Sequence, residues 1–167
     1  EKELDYKYLP KKDEYIEERF TKNFSENGGK FLYASTREEC NDFFQKILDE
    51  NNWNKKTILC FKKNLINDFF DDINFETNKT NLNSNLLITG CEFLVAKDGS
   101  ILVSAHQIKS YKIKDIPVNI IVLAKTSQLS ETVSKGLEGI RIKYSNNLPS
   151  NITVSYTHLR AHETSNH

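Results

Sequence analysis

The sequence predicts an α/β protein in which a layered sheet carries helices on both faces. Short apolar runs typical of strands alternate with segments of helical periodicity along most of the chain. In addition, the two arms of one hairpin, Cys91–Ala96 and Ile101–Ser104, are apolar almost throughout. A surface hairpin would alternate apolar and polar residues, so we expect this hairpin in the middle of the sheet with both faces covered.

The connection between the two arms contains Asp98-Gly99, a pair typical of the two-residue type I′ turn with positive φ at both positions. With this loop, Val95 faces Leu102, and apolar residues oppose each other along both arms. The pattern predicts nearly inaccessible side chains at four central positions: Leu94, Val95, Leu102 and Val103.

The first elements follow from charge and periodicity. Residues 1–12 are charged and lack periodicity, so we interpret them as a loosely held lead-in. A helix is predicted from Asp13 until Gly28-Gly29, which is typical of a helix C-terminus. A short strand is predicted at Lys30–Ala34. The apolar stripe of the helix has a four-residue interval: Ile16, Phe20 and Phe24.

A second helix is predicted after Ser35-Thr36, where Glu38-Glu39 offers a capping box in either register. Its apolar residues follow the template of an amphipathic helix: Cys40, Phe43, Phe44, Ile47 and Leu48. A strand at Thr57–Phe61 and a third helix are expected next. The third helix is marked by Leu65, Ile66, Phe69, Phe70 and Ile73.

Phe75 can belong to a brief strand, and Asn78–Asn85 is expected to be a polar loop before the hairpin. After the hairpin, His106–Pro117 is a polar connection in which His106 is interpreted as an exposed loop histidine. Val118–Ala124 is a strongly apolar strand, and Ser127 is expected to cap the next helix. The core side of that helix is predicted to be Leu129, Val133, Leu137 and Ile140.

Composition excludes several classes of function. Lys plus Arg and Asp plus Glu both number 23, so no net field attracts nucleic acid or an anionic membrane surface. No apolar run approaches the roughly 20 residues that span a bilayer. The three cysteines, Cys40, Cys60 and Cys91, are widely spaced, which favours reduced thiols in the cytoplasm over a disulfide framework or a cysteine metal site.

The end of the chain is unusual. Val154–Thr164 can be back-translated into a sequence like a transposase-type sequencing adaptor, so we expect residues 154–167 to be a non-native tail. The i, i+4 spacing of His158 and His162 would suit a metal on a helix, but both lie in this tail, and we expect no metal site. The domain is then residues 13–153, incomplete at its C-terminus, although Val154–Tyr156 can still extend a strand because its residues favour β structure.

Three stretches carry candidate site residues. Glu92 lies within an apolar strand, where burial would raise the pKa of its carboxyl and allow a role as acid, base or nucleophile. The alternative is that Glu92 points to a polar edge or a backbone partner. Thr89-Gly90 and Asp98-Gly99-Ser100 are glycine-bearing turns that can admit a ligand to backbone N–H groups, or can be plain turns.

The third stretch, Lys125-Thr126-Ser127, lies where a strand ends and a helix is predicted to begin. This position suits an anion, although ordinary helix capping by Ser127 explains the same residues. We expect the candidate ligand residues to converge at one end of the sheet: Thr89, Gly90, Ser100, Thr126 and Ser127.

The hairpin TGCEFLVAKDGSILVS resembles the central hairpin of the LUD (lactate utilisation) domain family. The later IIVLAKTSQL and LPSNIT match the same family in the same order, so the resemblance covers about residues 31–153. Many members carry an acidic residue and a threonine before the turn glycine, where this chain has Lys97 and Asp98. The resemblance implies a fold similar to coenzyme A transferases and ribose-5-phosphate isomerases.

The resemblance also implies a role in lactate utilisation, in which such a protein works with iron–sulfur oxidoreductase subunits that oxidise L-lactate to pyruvate. The chain has no cysteine cluster to hold an iron–sulfur centre, so the cofactor is expected on a partner subunit and a small organic acid is the expected ligand. Two alternatives remain open: a non-catalytic ligand-sensing or assembly subunit, and an independent enzyme for a small phosphorylated or acyl substrate.

Overall fold

The computed structural model describes residues 15–53, 58–70, 84, 86–108, 117–145 and 152–155. The described helices are α1 (Ile16–Glu26), α2 (Arg37–Asn51), α3 (Lys63–Phe69) and α4 (Val133–Lys143). The described strands are β1 (Ile58–Cys60), β2 (Leu86–Thr89), β3 (Phe93–Val95), β4 (Ser100–Ser104), β5 (Asn119–Val122), β6 (Leu129–Ser130) and β7 (Ile152–Ser155). The predictions for residues 1–12, Ile73, Phe75, His158 and His162, and most of the loop 78–85, lie outside the described residues.

The strands form two sheets, and the mixed α/β class predicted from the sequence is confirmed. One sheet is parallel with the strand order β1-β2-β5, and the other is mixed with the order β6-β3-β4-β7. The hairpin β3–β4 therefore occupies the middle of its sheet, as expected. All four central side chains predicted to be inaccessible are buried: Leu94, Val95, Leu102 and Val103.

One face of the parallel sheet is covered by helices, and every residue of β1 and β2 is buried. Phe44 and Leu48 of α2 join Ile66 of α3 and the strands in one apolar cluster. Helix α2 begins as the sequence predicts. Thr36 Oγ1 accepts a hydrogen bond from Glu39 N at 3.1 Å, and Glu39 Oε2 accepts one from Ser35 N at 2.7 Å.

The register of the hairpin differs from the prediction by two residues. Val95 pairs with Ser100 rather than with Leu102, and the turn contains four residues, 96–99. Gly99 has a φ of 71°, whereas Asp98 has no positive φ, so the type I′ geometry is absent. A two-residue shift keeps each side chain on its predicted face, which is why the burial prediction survives the error.

The predicted strand Lys30–Ala34 is absent, because this segment pairs with no described strand. Phe31 packs against Phe20 of α1 with ring centroids 6.0 Å apart, while Leu32 and Tyr33 are exposed. The segment thus contributes one aromatic ring to the core and crosses the surface as an irregular connection.

Ser127 does not cap α4. The chain forms a short 3-10 turn at Thr126–Gln128 and then the strand β6, and α4 begins only after Thr132. Thr132 Oγ1 accepts a hydrogen bond from Lys135 N at 3.2 Å and is therefore the N-cap. Leu137, predicted to face the core, is 41% exposed.

Helix α4 packs closely on the hairpin through two glycines. A Cβ atom at Gly136 would lie 2.6 Å from Leu102 Cδ1, and one at Gly139 would lie 2.6 Å from Phe93 Cζ. The missing side chains let the helix approach β3 and β4, where Ile140 fills a cluster with Val95 and Leu102.

β7 pairs with β4 over Ile152–Ser155, so the predicted extension of the strand beyond Thr153 is confirmed as far as Ser155. The assignment of residues 154–167 to a non-native tail stays a prediction, as does the domain range 13–153.

Candidate functional site

The carboxyl ends of β2 and β5 lie side by side, because these two strands are parallel neighbours. Leu123 N donates a hydrogen bond to Thr89 O at 2.8 Å and extends this pairing just beyond both strands. From here the chain passes through Gly90 into the hairpin, and the β5 segment passes into the 3-10 turn. In open α/β sheets ligands bind where parallel strands end in this way.

An open concavity of about 430 Å³ lies at this edge. It is bordered by α3, by the start of the hairpin, by the turn after β5 and by the end of α4. The residues that line it are Leu65, Asp68, Phe69, Glu92, Phe93, Lys125, Ser127, Gln128 and Lys143. Apolar side chains and charged side chains of both signs therefore share one surface.

Several side-chain hydrogen bonds fix Glu92 in the site. Its side chain is inaccessible to solvent, and its Oε1 atom accepts hydrogen bonds from Ser104 Oγ and Gln107 Nε2 at 2.7 Å and from Tyr144 Oη at 2.9 Å. Lys143 Nζ lies 3.4 Å from the other oxygen, Oε2. The donors come from β4, from the loop after it and from the end of α4.

The expectation that Glu92 has a raised pKa is wrong. Burial alone would raise the pKa of this carboxyl, but the hydrogen bonds from Gln107, Ser104 and Tyr144, together with the charge of Lys143, lower it below its ordinary value. Glu92 is thus an ionised acceptor at neutral pH. The pKa of the donor Tyr144 shifts in the opposite direction, because burial and the hydrogen bond to Glu92 raise it.

His106 belongs to the same cluster and is not the exposed loop residue expected from the sequence. Its ring stacks on Tyr144 with centroids 4.3 Å apart, and its backbone N–H donates to Ser104 Oγ at 3.2 Å. Its Nε2 atom is buried without a hydrogen-bond partner in the described part of the chain. The imidazole therefore acts as packing for the tyrosine that binds Glu92.

Gln128 fixes the turn after β5 against the start of the hairpin. Its Nε2 donates to Cys91 O at 2.7 Å, and its Oε1 accepts from Lys125 N at 2.8 Å. Because both ends of this amide are engaged, the turn is held in place while the side chains of Lys125 and Ser127 remain exposed at the concavity.

The turn of the hairpin is closed by α1. Asn23 Nδ2 donates to Ala96 O at 2.7 Å and to Lys97 O at 3.0 Å, and Asn27 Nδ2 donates to Asp98 O at 2.8 Å. A Cβ atom at Gly99 would lie 2.5 Å from backbone atoms of α1. The turn therefore faces a helix rather than the concavity.

The candidate ligand residues consequently divide into two groups. Thr89 and Gly90 line a smaller concavity of about 70 Å³ that shares Leu65 with the larger one, and Ser127 lines the larger one, whereas its neighbour Thr126 lines neither. The second group lines neither concavity and belongs to the closed turn: Asp98, Gly99 and Ser100.

Ser104, Gln107 and Gln128 hold Glu92 and the turn after β5 in place, and the sequence did not predict these roles. Nothing in the local pattern marks them, because each bonds to a residue at least 12 positions away. The nearest usable signal was Glu92 itself, since a carboxylate in an apolar strand needs buried donors.

The described residues contain neither a candidate metal cluster nor a candidate membrane-spanning helix. That part of the chain has no group of three or more His, Cys, Asp or Glu side chains arranged to hold a metal ion. It also has no helix with the length and apolar character needed to cross a membrane. Burial raises the pKa of the Cys91 thiol to about 12, which keeps it protonated and unreactive.

The fold and the site define a mixed α/β protein with a concavity, lined by apolar and charged side chains, beyond the ends of parallel strands. The family model described as the LUD domain matches residues 17–165, and the chain belongs to this family. A comparison with curated proteins finds no match. Among solved structures, the chain is similar to a DUF162 family protein from Deinococcus radiodurans, at 15% identity and a TM-score of 0.66 over 88% of this chain and 90% of that chain. This likeness supports the fold.

Proposed function

We propose that this LUD-domain chain is a cytoplasmic component of lactate utilisation and works with iron–sulfur partner subunits that oxidise L-lactate to pyruvate. The LUD domain family is linked to lactate utilisation, and the family match covers most of the chain. In this proposal the chain binds the small organic acid, and the partner subunits carry the electrons.

The observation that best supports ligand binding is the concavity with two lysines on its border. Lys125 is exposed, and the Lys143 side chain is 56% exposed although it also faces Glu92. A carboxylate placed between two ammonium groups gains charge-assisted hydrogen bonds, and the hydroxyl of Ser127 adds a donor. Lactate and pyruvate both present such a carboxylate.

The number of cysteines and the contacts of Glu92 indicate which role belongs to this chain and which belongs to the partner subunits. The chain has three cysteines, whereas iron–sulfur clusters usually take four cysteine ligands, so we assign the redox cofactor to the partner. Glu92 is ionised and engaged by three neutral donors and one cation, which suits it to hold the site in shape.

Reconstitution with candidate iron–sulfur oxidoreductase subunits from the same organism would test the proposal. We expect the purified complex to reduce an artificial electron acceptor when L-lactate is added, and to lose most of this activity when the LUD-domain chain is omitted. A complex that forms but shows no lactate-dependent reduction contradicts the proposal. So does a chain that binds no such partner in co-purification.

A ligand-sensing or assembly subunit is the second candidate, and the engagement of Glu92 favours it. A sensing subunit needs a formed binding site but no free acid or base, and Glu92 has Oε1 engaged by three donors and Oε2 facing Lys143. In that case omission of the chain would abolish regulation by lactate or assembly of the partners while the isolated partners keep their turnover. The same reconstitution therefore separates the two candidates.

A further inference from the structure

We infer that the concavity takes a monoanionic 2-hydroxy- or 2-oxocarboxylate whose side chain is larger and more apolar than the methyl group of lactate. The inference rests on the proposed function, because it retains the carboxylate ligand class and changes only the side chain. Three features of the concavity support it: its volume, the position of its apolar wall and its charge.

The volume of about 430 Å³ is far more than a three-carbon acid needs. A water molecule takes about 30 Å³ of the liquid, and lactate displaces only a few waters. Sites of about 300–1,000 Å³ usually hold ligands several times larger than lactate. Lactate alone would leave most of the concavity filled with solvent.

The unfilled part is bounded by apolar side chains. Leu65 and Phe69 of α3 and Phe93 of β3 line the concavity and are only half-buried, so each keeps apolar surface in contact with water. Covering this surface with an aliphatic or aromatic group removes it from water, which is favourable in proportion to the area covered. A methyl group covers little of it.

The charge of the concavity favours a single negative charge on the ligand. Two lysines, Lys125 and Lys143, and two carboxylates, Asp68 and Glu92, line it, so the formal charges cancel. Glu92 is buried and its charge is partly offset by Lys143, so the surface open to a ligand carries the Lys125 ammonium group, the partly engaged Lys143 and the exposed Asp68. A dianionic phosphate ester would add two negative charges to a lining that has no net charge, whereas a monocarboxylate adds one.

Isothermal titration of the full chain with a matched ligand series would test the inference. The series is L-lactate, 2-hydroxyisocaproate and 3-phenyllactate, with glycerol 3-phosphate as the dianion and 3-phenylpropanol as the uncharged control. We expect 3-phenyllactate to bind about tenfold more tightly than lactate, with 2-hydroxyisocaproate between them. The phosphate ester should bind more weakly than all three acids, and 3-phenylpropanol should show no saturable binding.

Two variants place the binding in the concavity. Lys125→Ala should weaken 3-phenyllactate binding about tenfold, because an exposed charge is removed without disturbing the core. Lys22→Ala removes an exposed lysine of α1 that does not line the concavity, and it should leave the affinity unchanged. Equal effects of the two variants would overturn the inference.

The outcomes separate the inference from the proposed function. If lactate binds as tightly as 3-phenyllactate, or if neither acid binds, the inference fails, and the proposed function is still judged by the reconstituted complex. If 3-phenyllactate binds as expected and the complex shows no lactate-dependent reduction, the proposed function fails and the ligand class stands.

Discussion

The two ends of the β3–β4 hairpin carry the same kinds of residues in different surroundings. At the turn, Asp98 Oδ1 accepts hydrogen bonds from the N–H and the hydroxyl of Ser100 only two residues away. At the other end, Glu92 accepts from Ser104 and from donors as far away as Tyr144. Helix α1 closes the turn, whereas a concavity opens beside Glu92.

A carboxylate with a serine partner is therefore not by itself evidence of a site. The Asp98 pair is local and stabilises its own turn, as aspartate commonly does. The Glu92 cluster joins β4, the following loop and α4 around one acceptor, and it borders open space. Distance along the chain distinguishes the two cases more clearly than residue type does.

The largest effect is expected at the centre of the hairpin, which both ends share. Leu102→Ala should cost about 2–5 kcal/mol of unfolding free energy, because Leu102 is fully buried and contacts Gly136 of α4. Chemical unfolding followed by circular dichroism measures this, with the exposed Ile142→Ala as the control. A loss of unfolding free energy below about 1 kcal/mol would show that the hairpin is peripheral and does not form the centre of the sheet.

A pair of glycine substitutions compares the two ends directly. Gly99→Ala should cost about 2–4 kcal/mol, because φ is +71° and the new Cβ would overlap the backbone of α1. Gly90→Ala should cost less than about 1 kcal/mol, because its nearest neighbour is a methyl of Leu65 at 3.3 Å. Thermal or chemical unfolding measures both. Similar costs for the two variants would remove the distinction between a closed and an open end.

The electrostatics of the open end predict a pH-dependent effect. The folded-state pKa of Glu92 is lowered, so its contribution is complete above the unfolded-state value near about 4.3 and is lost as the pH falls through the folded-state pKa. Glu92→Gln should therefore cost about 1–3 kcal/mol at pH 7, and the difference from the native chain should shrink toward pH 3.

Unfolding free energies of both chains between pH 7 and pH 3 would check this expectation. The matched control is Lys143→Gln, which removes a half-exposed cation 3.4 Å from Glu92 and should cost less than about 1 kcal/mol. A constant difference between the native chain and Glu92→Gln across the pH range would mean that the carboxylate charge is not what the donors stabilise.

The smallest effect is expected at the contact between α1 and the turn. Asn23→Ala removes hydrogen bonds to two turn carbonyls but improves helix propensity, so the net cost should be about 0.5–1 kcal/mol. Ser25→Ala, exposed on the same helix, is the control. Titration of both variants with 3-phenyllactate should give unchanged affinity, and a clear loss of affinity in Asn23→Ala would show that the closed end influences the open one.

Local patterns allowed much of the fold to be predicted. The spacing of Phe44 and Leu48 indicated α2 because both face the core one turn apart, and the apolar hairpin arms indicated central strands. Periodicity was misleading where an apolar residue is exposed. Leu32 and Leu137 fit a strand and a helix face, yet both contact solvent in the fold.

The errors share a physical cause, which is that the deciding contacts join distant parts of the chain. Asn23 and Asn27 hold a four-residue turn more than 70 positions away. The sequence Asp98-Gly99 does not indicate that these two asparagines bind the turn. Likewise the pKa of Glu92 depends on donors that only the folded chain gathers. Thr89, at the end of β2, and Ser127, in the turn that follows β5, lie at one edge of the sheet because β2 and β5 are parallel neighbours.

Because of its two glycines, Gly136 and Gly139, helix α4 depends on packing against the hairpin, and formation of the site depends on the same packing. Each glycine costs about 1 kcal/mol of helix propensity relative to alanine, so a free α4 segment should be largely unwound. The helix becomes stable when it packs against β3 and β4, and this packing places Lys143 and Tyr144 next to Glu92. In native-state hydrogen exchange we expect the amides of α4 to open together with those of the hairpin, so that the concavity is assembled and dismantled as one cooperative unit.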